Sequence, residues 1–315
     1  MTLAPVFVFP GQGSQKVGMA GDFLNSRSNL VERFFARASR LCGIDLFALC
    51  QEGPEEVLAL TANAQPAILT LSVVAYHLFT EQSGILPSVV AGHSLGEYSA
   101  LVASGCLDFD DAVRVVRHRG ELMQKAVPLG TGTMIALVGI PPDQVLDMTK
   151  ELSTIGPVEI ANLNSSDQTV LSLACSMKEM VLEESRRRGA KRSVELKVSA
   201  PFHSSFMREA SRAFADFIQS VPFKKPVFRF ICNVDGNEAT DPGLIRELLV
   251  RQMYSPVQWK TIMDRLFREG YRDYYEIGPG KVLTRLIKRE YPETVVCSID
   301  SMQAIERSVS GEEGG

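Results

Sequence analysis

A serine set between two glycines, Gly92-His93-Ser94-Leu95-Gly96, is the stretch of this sequence best suited to covalent chemistry. Val89-Val90-Ala91 leads in with small and apolar residues, as a buried strand does, and Tyr98-Ser99-Ala100-Leu101-Val102-Ala103 continues with helical character. Strand, sharp turn and helix are the context of a nucleophile elbow. The glycines let the chain turn without a Cβ clash and lift the serine oxygen clear of the sheet. Free backbone N–H groups at the start of the following helix can hold an oxyanion, so acyl transfer through an activated serine is the chemistry this turn could do.

Such a serine needs a base. The chain has four histidines. His77 falls off the apolar face of its helix and reads as a surface residue, and His118 sits near a stripe edge. His203, in Ser199-Ala200-Pro201-Phe202-His203-Ser204-Ser205, stands where an inserted segment returns to the main body and is the best-placed base. A third candidate is a cation. In the helix that follows Asp108, an N-cap candidate, the apolar stripe is Ala112, Val115, Val116, Leu122, Met123 and Ala126. At about 100° per residue Arg119 lands in the middle of that stripe. A buried guanidinium is costly unless an anion or equivalent satisfies it. The pattern leaves open whether that anion is an Asp or Glu of the fold or the carboxylate of a ligand.

The elements that must hold these groups follow from periodicity. Val6–Phe9 reads as a buried strand ended by Pro10-Gly11-Gln12-Gly13-Ser14-Gln15, whose glycines allow close backbone approach to a ligand. Apolar residues from Leu30 to Cys42 recur at helical spacing up to Gly43, and a second helix is expected to open near Gln65-Pro66, with the proline in its first turn. From Gly130 the rhythm becomes strand, helix, strand, strand, helix, strand, the split βαβ order of a ferredoxin-like unit. Its second helix ends in the basic run Arg186 to Arg192, either a solvated helix end or a patch for an acidic partner. Beyond His203 helices and strands alternate again, which implies a mostly parallel sheet covered on both faces. The expected organisation is a discontinuous large α/β subdomain over 1–129 and 199–307, a ferredoxin-like small subdomain over 130–198, and a flexible tail over 308–315.

Composition narrows the class. Hydrophobic residues at 45% and charged residues at 22% suit a soluble globular chain, and a net charge of −4 gives no basic signature for nucleic acid. The six cysteines are scattered without a Cys-x-x-Cys pair, so neither a zinc site nor a disulfide framework is expected, and a reducing cytoplasm fits. No signal peptide or membrane span is read. A dinucleotide fingerprint fails because Lys16 occupies the third glycine position, and no Gly-Lys-Ser/Thr phosphate loop is present.

Phe9-Pro10-Gly11-Gln12-Gly13-Ser14-Gln15, Gln65-Pro66-Ala67, Gly92-His93-Ser94-Leu95-Gly96-Glu97, Arg119-Gly120, Pro201-Phe202-His203, Gln252 and Gly278-Pro279-Gly280 occur in one order along nearly the whole chain. Together they resemble malonyl-CoA:acyl carrier protein transacylases and the related acyltransferase domains of fatty acid and polyketide synthases. The resemblance implies an α/β-hydrolase-like large subdomain with an inserted ferredoxin-like one. It implies Ser94 as nucleophile and His203 as base, with the backbone N–H groups of Gln12 and Leu95 as oxyanion hole. Arg119 would bind the free carboxylate of malonate, and Gln65, His93, Phe202 and Gln252 would complete the substrate site. In this family a backbone carbonyl orients the histidine. The reaction implied is malonyl transfer from malonyl-CoA to the phosphopantetheine thiol of acyl carrier protein, with ping-pong kinetics and no cofactor. The setting implied is fatty acid biosynthesis or, alternatively, a stand-alone polyketide acyltransferase, by a discrete monomer in the cytoplasm. One departure is Thr169-Val170-Leu171-Ser172-Leu173-Ala174, where the family often has a glycine. A serine hydrolase would share Ser94 and a histidine but needs an acidic third member and a His-Gly-Gly-Gly type loop. A scaffold protein would have no need for Ser94, His203 and Arg119.

Overall fold

The computed structural model describes residues 3–128, 130–198 and 200–310. The first stretch comprises β1 (Val6–Phe9), α1 (Gly21–Cys42), α2 (Leu46–Glu52), α3 (Glu55–Leu58), α4 (Thr61–Ser83), β2 (Val89–Gly92), α5 (Gly96–Ala103) and α6 (Phe109–Lys125). An inserted stretch holds β3 (Gly132–Val138), α7 (Pro142–Ser153), β4 (Val158–Leu163), β5 (Gln168–Ala174), α8 (Lys178–Arg187) and β6 (Arg192–Glu195). The chain then adds α9 (Arg208–Ile218), β7 (Arg229–Ile231), α10 (Pro242–Gln252), α11 (Trp259–Arg268), β8 (Asp273–Ile277), α12 (Val282–Glu290), β9 (Val295–Ile299) and α13 (Met302–Ser310).

Two sheets result. The larger is parallel throughout, in the order β7-β2-β1-β8-β9. Alternation along β1 sends Phe7 and Phe9 into one core with α1, α4, α5 and α6, and Val6 and Val8 into another with α11 and α12. Helix α4 is buried on nearly every side, so its apolar residues show little one-sided pattern. The second sheet is antiparallel, in the order β4-β5-β3-β6, with a core of its own from Ile135, Leu137, Val145, Leu171, Leu173 and Val181 beneath α7 and α8. A mostly parallel α/β unit with an inserted ferredoxin-like sheet is therefore the architecture present. Backbone bonds tie the two sheets' surroundings together: Val257 N–H donates to Ala161 O at 2.8 Å, and Leu163 N–H donates to Val257 O at 2.9 Å.

Several local expectations shift. The helix expected to open at Gln65-Pro66 starts at Thr61 and carries Pro66 inside it. Proline removes the N–H that would reach the Ala62 carbonyl, and Arg117 Nη1 donates to that oxygen at 3.1 Å instead. Asp108 precedes α6 but makes no side-chain cap; its carboxylate accepts from Lys224 Nζ at 3.2 Å. Ser308–Ser310, expected in a tail, close α13, and 311–315 lie outside the described residues. His77 is exposed, with its ring stacked on Phe34 at 5.2 Å.

Candidate active site

The parallel sheet places its chemistry where parallel sheets generally do, beyond the carboxyl ends of its central strands. Strand β2 ends at Gly92 and the chain turns through His93 and Ser94 into α5. Ser94 adopts φ 50°, a region that favours glycine, and the turn closes only because its neighbours lack a Cβ. A Cβ on Gly92 would sit 2.0 Å from the Gly96 carbonyl, and one on Gly96 would sit 2.0 Å from the Phe9 carbonyl oxygen. Gly11 brings the Gln12 loop against the elbow in the same way, since a Cβ there would lie 2.4 Å from His93 O. Asn233, just past β7, buckles the strained turn: its Oδ1 accepts from Ser94 N–H at 2.7 Å and its Nδ2 donates to Gly92 O at 2.6 Å.

His203 also lies in the left-handed region, at φ 56°. Its Nε2 is 2.7 Å from Ser94 Oγ and its Nδ1 is 2.7 Å from the main-chain oxygen of Gln252. A carbonyl can only accept, so Nδ1 carries the proton and the bare Nε2 accepts from the serine hydroxyl. No carboxylate takes the third place. Burial, then the neighbouring Arg119 cation, push the imidazole down to about 3, so it is held neutral. The antiparallel sheet supports the same segment: Ser172 of β5 donates to Phe202 O, and Glu159 of β4 accepts from Ser205 N–H at 3.0 Å.

Arg119 is 1% exposed at the centre of the α6 stripe. Its contacts are neutral. Nη1 donates to Gln65 Oε1 at 2.8 Å, and Nη2 donates to Gln252 Oε1 at 2.7 Å and to Ser94 Oγ at 3.3 Å. Its Cζ lies over the Tyr98 ring, 5.4 Å from the centroid. A carboxyl, Glu97, is buried close by, yet it meets Arg119 only through the amide of Gln252, whose Nε2 donates to Glu97 Oε2. Burial outweighs the hydrogen bonds from Asn233 and Gln252 and the Arg119 charge, which pull the other way, and Glu97 is pushed up to about 8.

These groups face a cavity of about 450 Å³ between the two sheets, lined by Gln12, His93, Ser94, Leu95, Arg119, Phe202 and His203 together with Met134, Ala136, Asn162 and Val170 of the antiparallel sheet. Gln65 and Gln252 do not line it; they brace Arg119 from behind. His93 lines it but spends Nε2 on Asn164 Oδ1 at 2.8 Å. Gln12 Nε2 donates to Thr61 Oγ1 at 3.2 Å. Asn233, Glu159 and Asn164 carry no motif signal; Glu97 lay inside the elbow stretch, and Ser172 inside the stretch that departs from the family. Among the described residues no group of three or more His, Cys, Asp or Glu is placed to hold a metal ion, and no helix is long and apolar enough to cross a membrane.

The chain is similar over nearly its whole length to known acyltransferases. The acyl transferase domain family matches residues 6–308. Malonyl CoA-acyl carrier protein transacylase of Escherichia coli strain K12 is 44% identical over 283 residues, covering 90% of this chain and 91% of that protein. The protein of the same name from Bacillus subtilis strain 168 is 40% identical over 304 residues, covering 96% and 95%. Among solved structures, the malonyl CoA-acyl carrier protein transacylase of Coxiella burnetii superposes with a TM-score of 0.95 at 35% identity, over 100% of this chain and 99% of that one. A malonyl-transacylase solved in complex with a type II polyketide synthase acyl-carrier protein superposes with a TM-score of 0.94 at 39% identity, over 98% and 100%.

Proposed function

The chain belongs to the acyl transferase domain family, and from that premise we propose how its own residues carry out malonyl transfer. It is an acyltransferase that moves a malonyl group from malonyl-CoA to acyl carrier protein. Ser94 Oγ gives its proton to His203 Nε2 and attacks the thioester carbonyl. The backbone N–H groups of Gln12 and Leu95 receive the oxyanion. Collapse breaks the C–S bond, the thiolate of CoA takes the proton back from His203, and malonyl-Ser94 remains. The phosphopantetheine thiol of the carrier protein then runs the same steps in reverse, with fatty acid synthesis as the setting.

One observation carries the reading: a buried cation with only neutral partners stands 3.3 Å from the same Ser94 oxygen that the base engages. The Arg119–Ser94 contact is the longest of the three that Arg119 makes, and it is the one a carboxylate on a short acyl chain would take over. A three-carbon acyl group on Ser94 supplies that carboxylate, and an acetyl group leaves the cation unpaired. A hydrolase acting on neutral esters gives Arg119 no task. Brief mixing with malonyl-CoA and measurement of intact mass tests this. We expect one malonyl adduct per chain, stable without a thiol and discharged by phosphopantetheinylated carrier protein. Rapid decay without any thiol acceptor would identify a hydrolase, and absence of an adduct would remove the reading.

The neutral histidine has a consequence for pH. The base must be unprotonated to act, and a free imidazole loses that form below about pH 6.5. His203 resists protonation down to about 3. Single-turnover acylation by malonyl-CoA should therefore stay flat between about pH 5 and about pH 7. A fall centred near the free-imidazole value would show that a solvated base controls the step.

A further inference from the structure

Glu97 is buried at 1% exposure, and the transfer steps above give it no role. A carboxyl withdrawn from water at such cost, with no guanidinium or ammonium in contact, calls for a physical account. Both its oxygens are occupied by neutral donors: Oε1 by Asn233 N–H at 2.8 Å and Oε2 by the side chain of Gln252. Gln252 is the joint of the site. Its main-chain oxygen orients His203, and its amide oxygen holds Arg119 Nη2 at 2.7 Å.

An amide can face two ways, and the direction is set by what surrounds it. The amide nitrogen of Gln252 has two protons to place. One goes to Ser94 O at 2.9 Å and the other to Glu97 Oε2. With both acceptors on that side, the oxygen must point at Arg119. Reversed, the amide would set its own N–H groups against those of the guanidinium. Gln65, the other brace of Arg119, has no such anchor among the described residues, where its Nε2 meets only the weak acceptor Met123 Sδ at 3.7 Å. The orientation of the guanidinium thus depends chiefly on the side that Glu97 fixes.

We infer that Glu97 is a positioning residue for acyl-group selection: by fixing the Gln252 amide it aims Oε1 at Arg119 and holds the guanidinium where it meets the carboxylate of the acyl group. This rests on the reading of Arg119 given above. Glu97 touches neither substrate nor reacting atoms, so its signature is the ratio of malonyl to acetyl acylation and not the overall rate. Glu97→Met keeps the length and removes both acceptors, whereas Glu97→Gln keeps one oxygen that can turn to Gln252 and gives up the contact with Asn233 N–H.

Acylation of Ser94 from malonyl-CoA and from acetyl-CoA, read by intact mass after rapid quench, tests this. Glu97→Met should cut the malonyl-over-acetyl preference by about tenfold or more, chiefly through a weaker apparent affinity for malonyl-CoA. Glu97→Gln should keep it within about threefold. In the Glu97→Met, Arg119→Ala double variant the preference should be no lower than in Arg119→Ala alone, since both changes act through one contact. If methionine prevents folding, Glu97→Asp draws the carboxyl group back by one carbon and should lower the preference in the same direction. Equal loss of malonyl and acetyl acylation in the Glu97 variants would reduce the residue to a support of the fold and overturn the inference. If Arg119→Ala abolishes the preference while every Glu97 variant keeps it, this inference alone fails. If Arg119→Ala leaves the preference intact, the reading of Arg119 falls and this inference with it.

Discussion

Ser94→Ala should fold like the wild type and form no acyl-enzyme. Transfer to the carrier protein should fall by about a thousandfold or more, the scale seen when the nucleophile of such a unit is removed. The loss is large because no other side chain can stand in: His203 Nε2 has its lone pair aimed at Ser94 Oγ, 2.7 Å away, and the next contact on that oxygen is a guanidinium with no lone pair to offer. The fold should tolerate the change. The turn is held by the Ser94 N–H on Asn233 Oδ1 and the Gly92 carbonyl on Asn233 Nδ2, both main-chain contacts that alanine retains. A positive φ costs any residue with a Cβ, but serine meets that cost already. Adding His203→Ala to Ser94→Ala should cost almost nothing further, because base and nucleophile act as a unit. Intact-mass measurement after exposure to malonyl-CoA checks this directly. An adduct that survives Ser94→Ala would put the nucleophile elsewhere in the chain.

How much of this could be read from the sequence depends on whether a constraint is local. The elbow is legible because the steric demand falls on the residues that name it: Gly92 and Gly96 are the positions where a Cβ would meet backbone at 2.0 Å. Arg119 is legible because helical periodicity places it among apolar neighbours, and the structure buries it there. The split βαβ order of the insertion is legible from the change of period. What escapes is held across long separations. Nothing in Cys232-Asn233-Val234 signals that Asn233 will grip a turn 139 residues earlier in the chain. Pro66 was expected to open its helix on local preference, yet it lies inside α4 because Arg117, on another helix, satisfies the carbonyl that proline strands. Ser172 and Glu159 support the histidine segment from the antiparallel sheet, and their types are unremarkable for strand residues. Polar groups that satisfy one another in a buried network have no spacing rule, so their roles emerge only once the chain is folded.

Arg119→Ala should produce the second large effect, and its direction differs between substrates. Malonyl acylation should fall by about a hundredfold to a thousandfold. That corresponds to about 3–4 kcal/mol, the range for leaving a desolvated carboxylate without its charged partner. Acetyl acylation carries no carboxylate and should change far less. On the reading proposed above, acetyl is disfavoured because it leaves a buried cation with neutral partners only, the oxygens of Gln65, Gln252 and Ser94. Removing the guanidinium removes that penalty together with the attraction for malonyl, so the two terms shift the selectivity the same way. Lysine should not restore it. An ammonium cannot take the two amide oxygens at 2.8 Å and 2.7 Å in one plane and still present a donor to the acyl chain, because its protons are not set in a fork. Parallel acylation assays with malonyl-CoA and acetyl-CoA on wild type, Arg119→Ala and Arg119→Lys decide the matter. A uniform loss on both substrates would assign Arg119 to the support of Ser94 and His203: it touches the Ser94 oxygen that His203 engages, and it holds the side chain of Gln252, whose main-chain oxygen orients His203. A loss confined to malonyl would make Arg119 the group that reads the acyl chain.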